Sequence, residues 1–194
     1  MVVRVAVTMV PLRKCLLSFW PYVLGASVVS QVTVLFAMGL PWVCSCGVKL
    51  WDGEGSSQHI ADWYTPSHMV HGILFYALLR WVFPKWPMPY VLLGAAGMEI
   101  VWEIFENTPW VIHRYRTETA DSDYSGDTIL NSVSDVGFML LGFVIAWKWP
   151  TKWVIALVIA LELLALAMIR DNLLLQIATF IWPIDAVVDW QSRA

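Results

Sequence analysis

Residues Leu16 to Leu40 read LLSFWPYVLGASVVSQVTVLFAMGL, a run without a formal charge, preceded by Arg13 and Lys14. At ~1.5 Å per residue a helix over this stretch exceeds the ~30 Å hydrocarbon core of a bilayer, so it can cross with some tilt. Ala37 and Gly39 resemble a signal-peptidase site, but the apolar run is far longer than the ~7–15 residues of a signal peptide's core. It reads as an uncleaved anchor. The rest of the chain follows suit, with 59% hydrophobic against 14% charged among 194 residues. That is not the balance of a water-soluble domain. The formal charge is −3 and the Lys and Arg are scattered, so there is no basic stripe for nucleic acid.

Further spans are expected at Pro66 to Phe83, Pro89 to Glu106, Thr128 to Trp147 and Trp153 to Ile169, punctuated by Pro84, Pro87, Pro89 and Pro150. The apolar tail Leu173 to Ile184 is short of the ~17 residues a crossing needs, and it can cross, re-enter or lie at the interface. The expected fold is an all-α polytopic bundle of five or six transmembrane helices, one integral membrane domain over residues 1–194. With the N-terminus cytoplasmic, Arg4, Arg13, Lys14, Arg80, Lys85, Lys148, Lys152 and, given a sixth crossing, Arg193 fall inside. Lys49, Arg114, Arg116 and Arg170 fall outside, and this asymmetry favours N-inside. Most of the 13 tryptophans, among them Trp42, Trp63, Trp81, Trp147 and Trp153, fall near span ends as interfacial anchors.

Polar residues inside the spans point to a site. His68 and His71 share a face near the outer end of the second span. Glu99, Glu103 and Glu106 form a carboxyl stripe on the third, and Asp127, Asn131 and Asp135 repeat it on the fourth. Counting residues from the outer boundary puts His71, Glu103 and Asn131 at one depth. Glu99, Asp135 and Glu162 lie deeper, and His68, Glu106, Asp127 and Asp171 ring the mouth. Such groups can serve as glue between helices, yet so many carboxyls in one leaflet cost more than helix association needs. An outward-facing acidic-histidine pocket follows, closed over by the segments Pro41 to Thr65 and Asn107 to Asp127.

Two chemistries suit it. His68 and His71 with Glu103, Glu106 and Asp127 can supply nitrogen and oxygen ligands for a divalent metal, Zn, Mn or Fe. Without metal, His71, Glu103 and Asp135 form an acid/base set acting on a water or hydroxyl. A third reading makes the histidines structural. Arg114 and Arg116 match a phosphate or carboxylate head and, with Asn131, form the expected substrate-binding group, or they pair with neighbouring acids. Cys44 and Cys46 either pair, stay reduced or ligate metal. Asp121, Asp123, Ser125 and Gly126 match the opening of a calcium loop, but Ser132 stands where its bidentate glutamate belongs, so a complete EF-hand is excluded. The stretch is either a cation site of Asp121, Asp123 and Asp127 with help from elsewhere or a solvated acidic turn capping the fourth helix at Asp127.

The run His59 to Tyr76 (HIADWYTPSHMVHGILFY), with Trp102 to Pro109 (WEIFENTP), Arg114-Tyr115-Arg116, Asp123 to Asp127 (DYSGD) and Asn131 to Asp135 (NSVSD), resembles a family of bacterial inner-membrane proteins. It is known as uncharacterised protein family 0314 or domain of unknown function 2585. The resemblance extends from about Cys44 to Gln191 and implies a multi-pass inner-membrane protein without naming an activity. His71, the third-span glutamates, an outer arginine, Asp127, Asn131 and Gly142 are also similar to the teicoplanin-resistance membrane protein family, which is linked to envelope antibiotics. The leading functional expectation is a membrane-embedded enzyme acting on an amphiphilic envelope substrate. The alternatives are a small ion- or proton-coupled carrier relaying through Glu99, Asp135 and Glu162, and a non-catalytic membrane partner or assembly factor.

Overall fold

The structure is a computed structural model and describes residues 18–53, 57–119 and 124–192. Among these residues it is all-helical, with eight helices and no strand. They are α1 (Trp20–Ala37), α2 (Thr65–Val82), α3 (Met88–Glu106), α4 (Pro109–Glu118), α5 (Ile129–Lys148), α6 (Thr151–Ile169), α7 (Leu173–Ile181) and α8 (Asp185–Gln191). Helices α1, α3, α5 and α6 are long and apolar enough to cross a membrane. α2 matches them in length but, with Ser67, His68 and His71 in its first two turns, is less apolar.

Proline sets several of these starts. Pro21, Pro66, Pro89 and Pro109 occupy the first or second position of α1 to α4, where a missing N–H costs nothing and a fixed φ favours the helical turn. Pro109 follows the end of α3 and opens a further helix, α4, that the charged run His113 to Arg116 conceals from hydropathy. α5 instead begins at a Thr128 cap, whose hydroxyl accepts from Asn131 N at 3.1 Å.

The centre is the trio α2, α3 and α5, with α1 against α3 and α5 and with α6 against α2. Val91, Ala95, Ala96, Ile100, Val136, Met139 and Phe143 fill it. α2 and α5 touch backbone to backbone. A Cβ on Gly72 would lie 1.9 Å from the Met139 carbonyl oxygen, and one on Gly142 would lie 2.0 Å from that of Met69. By contrast α6 presents Trp153, Ile155, Ile159, Leu163 and Leu164 outward. An exposed apolar face of that extent is a liability in water and natural in lipid. By length, composition and surface these are the helices of a membrane protein.

Of the three courses open to the tail, the structure disfavours a crossing. Arg170 ends α6 in a left-handed conformation (φ 53°), and α7 follows after the Asn172 cap, whose side chain accepts from Leu175 N at 2.9 Å. α7 has 9 residues, about 13 Å of helix, too short to cross. After Pro183 the chain returns, and Gln191 Nε2 donates to Arg170 O at 3.1 Å and to Asp171 Oδ1 at 3.0 Å. The described tail therefore goes out and back to the end of α6, and neither of its helices is long enough to cross a membrane.

Candidate functional site

α2 and α3 meet where His68 and His71 face Glu99. The Nδ1 of His68 is 2.6 Å from one oxygen of Glu99, and the Nδ1 of His71 is 3.0 Å from the other. A carboxylate only accepts, so one glutamate holds both imidazoles in the same tautomer and leaves both Nε2 lone pairs for another partner. His71 is further fixed by stacking on Phe75 and by the edge of Trp102, with ring centroids 5.5 and 5.9 Å away.

Around this pair stand Glu103, one turn after Glu99, and Asp135 from α5. Glu103 Oε1 is 3.4 Å from His68 Nδ1, and Asp135 Oδ2 is 3.8 Å from His68 Nε2. Both acids are buried, yet Glu103 Oε1 and Oε2 and Asp135 Oδ1 have no hydrogen-bond partner among the described residues. Orphaned carboxyl oxygens in an apolar interior are costly and call for a partner. Two sets have ligand atoms within 4.8 Å of one another, namely His68, His71 and Glu99, and His68, Glu103 and Asp135. The donor types suit zinc, manganese or iron.

A cavity of about 30 Å³ opens onto His68, His71 and Asp135, with Glu106, Asp127 and Asp171 as further acidic lining and Tyr64, Tyr115 and Tyr124 as its phenols, while Glu99 and Glu103 lie behind its wall. That is room for an ion and a water or two. Its roof is sewn down by Asn107, which donates to Asp127 Oδ2 at 2.5 Å and accepts from Asp127 N at 2.7 Å. Tyr124 donates to the other Asp127 oxygen at 2.9 Å. Burial raises the Asp127 carboxyl above its usual range against these hydrogen bonds, which lower it. Burial, reinforced by Asp127 and Glu106, likewise pushes up the Tyr124 hydroxyl. The same cause, with Glu106 as the leading neighbour, holds the Tyr115 hydroxyl well above the phenol range. Both tyrosines remain proton donors.

The first connecting segment completes the roof. Thr128 N donates to Ser57 O, Ile129 N to Pro41 O, and Asn131 Nδ2 to His59 O. Asp62 and Thr65 exchange bonds at the start of α2. Cys44 and Cys46 are paired in a disulfide, beside the buried His59, whose Nε2 lies 3.0 Å from Asp52 Oδ2.

Of the residues expected from the sequence, His68, His71, Glu103 and Asp135 converge, and Glu106 and Asp127 share their cavity. Asp127 gives its oxygens to Asn107, Tyr124 and Ser132 rather than to the imidazoles. Asn131 is buried in the roof, outside the cavity lining. Arg114 donates through Nε to Phe180 O at 2.6 Å and through Nη2 to Ile181 O at 3.4 Å, covering the C-terminal carbonyls of α7. Arg116 lines a separate hollow with His113 and Thr117. Neither arginine lines the cavity. Glu162, expected in the deep layer, accepts from Leu174 N at 3.2 Å and belongs to the start of α7. Asp121 and Asp123, the other arms of the calcium-like stretch, lie outside the described residues.

Glu99 is the centre that sequence reading assigned to a deeper layer, although its spacing from Glu103 placed both on one face. Residue counting fixes only the depth of Cα atoms, and two extended side chains bridge the ~5.4 Å rise of a turn. Asn107, Trp102 and Tyr115 also went unassigned, and their motifs, WEIFENTP and RYR, were the available sign.

The family described as "Protein of unknown function (DUF2585)" matches residues 35–193. A UPF0314 protein of Rhizobium meliloti (strain 1021) is 48% identical over 167 residues, covering 84% of this chain and 85% of its own. One of Rhizobium etli (strain CIAT 652) is 44% identical over 180 residues, with 90% and 92% covered. One of Paracoccus denitrificans (strain Pd 1222) is 48% identical over 171 residues, with 83% and 89% covered. No solved structure matches. These comparisons do not show the similarity to the teicoplanin-resistance family.

Proposed function

The chain belongs to the DUF2585 family, whose description names no activity, and we propose from the geometry that it is a multi-pass protein of the bacterial inner membrane, N-terminus cytoplasmic, that acts as a metal-assisted enzyme on an amphiphile of the cell envelope. The observation that carries this reading is the use of Glu99. One carboxyl orients two imidazoles while three buried oxygens of Glu103 and Asp135 stand without a hydrogen bond a few ångströms away. A glue of polar residues would satisfy itself, and this arrangement does not.

His68 with carboxyl oxygens of Glu103 and Asp135 would hold a zinc, manganese or iron ion, with His71 beside it on the shared Glu99. Such an ion polarises a carbonyl or activates a water near neutral pH. Glu99 sets the tautomers and Trp102 and Phe75 keep the His71 ring from turning. Glu106 on the cavity wall is the carboxyl left to move a proton, and Tyr115 is a fixed donor. The carrier alternative lacks its relay, because Glu162 is tied to the start of α7.

The test is the lipid extract of a deletion strain complemented with wild-type protein or with Glu103→Gln. An envelope amphiphile that accumulates in the deletion and in the Glu103→Gln strain, and falls to normal with the wild type, is expected. Identical extracts from all three strains would exclude an enzyme of envelope lipids.

A further inference from the structure

The acidic cavity does not end at His71. On the far side of His71 and Trp102 runs a groove of 630 Å³, lined by Leu74, Phe75, Met98, Val101, Phe105 and Ile177 among others. Its volume is within the ~300–1,000 Å³ of ligand sites. His71, Trp102, Tyr115 and Gln176 line both spaces, so the groove abuts the polar cavity at a wall two or three side chains thick. Val101, Leu74 and Ile177 are exposed, which leaves the groove open sideways, between α3 and α7, to the surroundings of an apolar helix surface.

The polar end of this composite space is narrow and is lined by carboxyl, imidazole, phenol and amide groups. Among the described residues that line it there is no Lys or Arg, and the two arginines expected to clamp an anion are engaged elsewhere. Glu103 and Asp135 would already neutralise a divalent ion held there, so an anionic head would face Glu106, Asp127 and Asp171 with no guanidinium or ammonium donor to offset their repulsion. A small uncharged group that both donates and accepts finds partners in Tyr115, Gln176 and the carboxyls.

We infer that the groove seats the hydrocarbon chain of a single-chain amphiphile, entering from the bilayer between α3 and α7, and that its small uncharged polar end, of the hydroxyl or carbonyl class, reaches the cavity past His71 and Trp102. The inference rests on the reading of the cavity as the reaction site and adds the substrate class: a long chain with its reactive group at the end, not a phospholipid with a bulky charged head.

The experiment is photolabelling of the full chain in detergent with a diazirine-bearing hexadecanol, mapped by peptide mass spectrometry, with metal content measured on the same preparation. Labels are expected on α3 and α7. Unlabelled hexadecanol should compete about tenfold better than hexadecyl phosphate. Val101→Trp and Ile177→Trp, two outward-facing positions that tolerate a larger side chain, should each cut labelling about fivefold or more while metal content is unchanged. Labelling that spreads over Ile155, Ile159 and Leu163 of α6 and ignores both tryptophans makes the chain an ordinary boundary lipid and overturns the inference. Equal competition by the phosphate overturns the uncharged head. Metal without groove labelling removes the chain site and leaves the metal reading standing; groove labelling without metal does the reverse.

Discussion

At the scale of single residues the decisive contact is Glu99 with two imidazoles, and it separates two kinds of carboxyl. Glu99→Gln keeps an acceptor for one Nδ1–H but turns an amide N–H₂ toward the other. Metal affinity should fall about 10–100-fold without vanishing. Glu103→Gln removes a carboxyl oxygen of the site itself and should abolish stoichiometric metal. Competition with a chelator measures both, and equal losses in the two variants would contradict the distinction. Asp127 gives a pH signature of a defined sign. Burial raises its carboxyl in the folded state, so the proton is held more tightly there than in the unfolded chain. Its stabilisation is full below the unfolded value near ~3.9 and is lost as pH rises through the folded value. The melting temperature of Asp127→Asn minus that of the wild type should therefore climb with pH over that window and level off above it. The hydrogen bonds from Asn107 and Tyr124 favour the ionised carboxyl and oppose this trend, and burial outweighs them. A difference that does not change with pH would show that Asp127 is not held above its ordinary range.

At the scale of elements the α2–α5 contact fixes the spacing of the site, because His68, His71 and Asp135 are carried by these two helices. Gly72→Ala or Gly142→Ala places a Cβ against backbone at 1.9 or 2.0 Å, which no side-chain movement relieves. Each should cost about 3 kcal/mol or more. Gly137→Ala on α5, with nothing within 4 Å of its Cβ, should stay within about 0.5 kcal/mol of the wild type. Thermal unfolding in detergent separates the cases, and a wild-type melting temperature for Gly72→Ala would mean the helices sit further apart. How legible these elements were follows from what makes them. The boundaries of α1, α2, α3, α5 and α6 fall within a few residues of those read from the sequence, since an apolar run and a proline are properties of one stretch of chain. α4 escaped because its sequence is polar and its helix leans on Tyr124 and on Phe180 of α7. An arginine covering a helix C-terminus and one awaiting an anion look alike until the partner is seen, which is how Arg114 was misplaced. The apolar groove had no linear sign at all, being assembled from α2, α3, α4 and α7.

At the scale of the whole molecule, the proposed topology, in which α2 crosses together with the four apolar helices and the N-terminus is cytoplasmic, puts the residue after Gln191 on the outer side, because the tail returns to Arg170. A reporter fused there should be active as an alkaline phosphatase and dark as a green fluorescent protein; the reverse pattern would contradict the orientation or the returning tail. The acidic-histidine cavity and the apolar groove then lie near the outer face, where an envelope amphiphile can reach both from the bilayer. The proposed reaction depends on the cavity holding a metal ion. The most direct test is elemental analysis of detergent-purified protein carrying a tag that binds no metal, beside His71→Ala and Glu103→Gln variants that remain monodisperse. The account predicts near-stoichiometric zinc, manganese or iron in the wild type and its loss from both variants. Protein prepared with and without supplementation that contains none, or variants that retain the wild-type content, would contradict it.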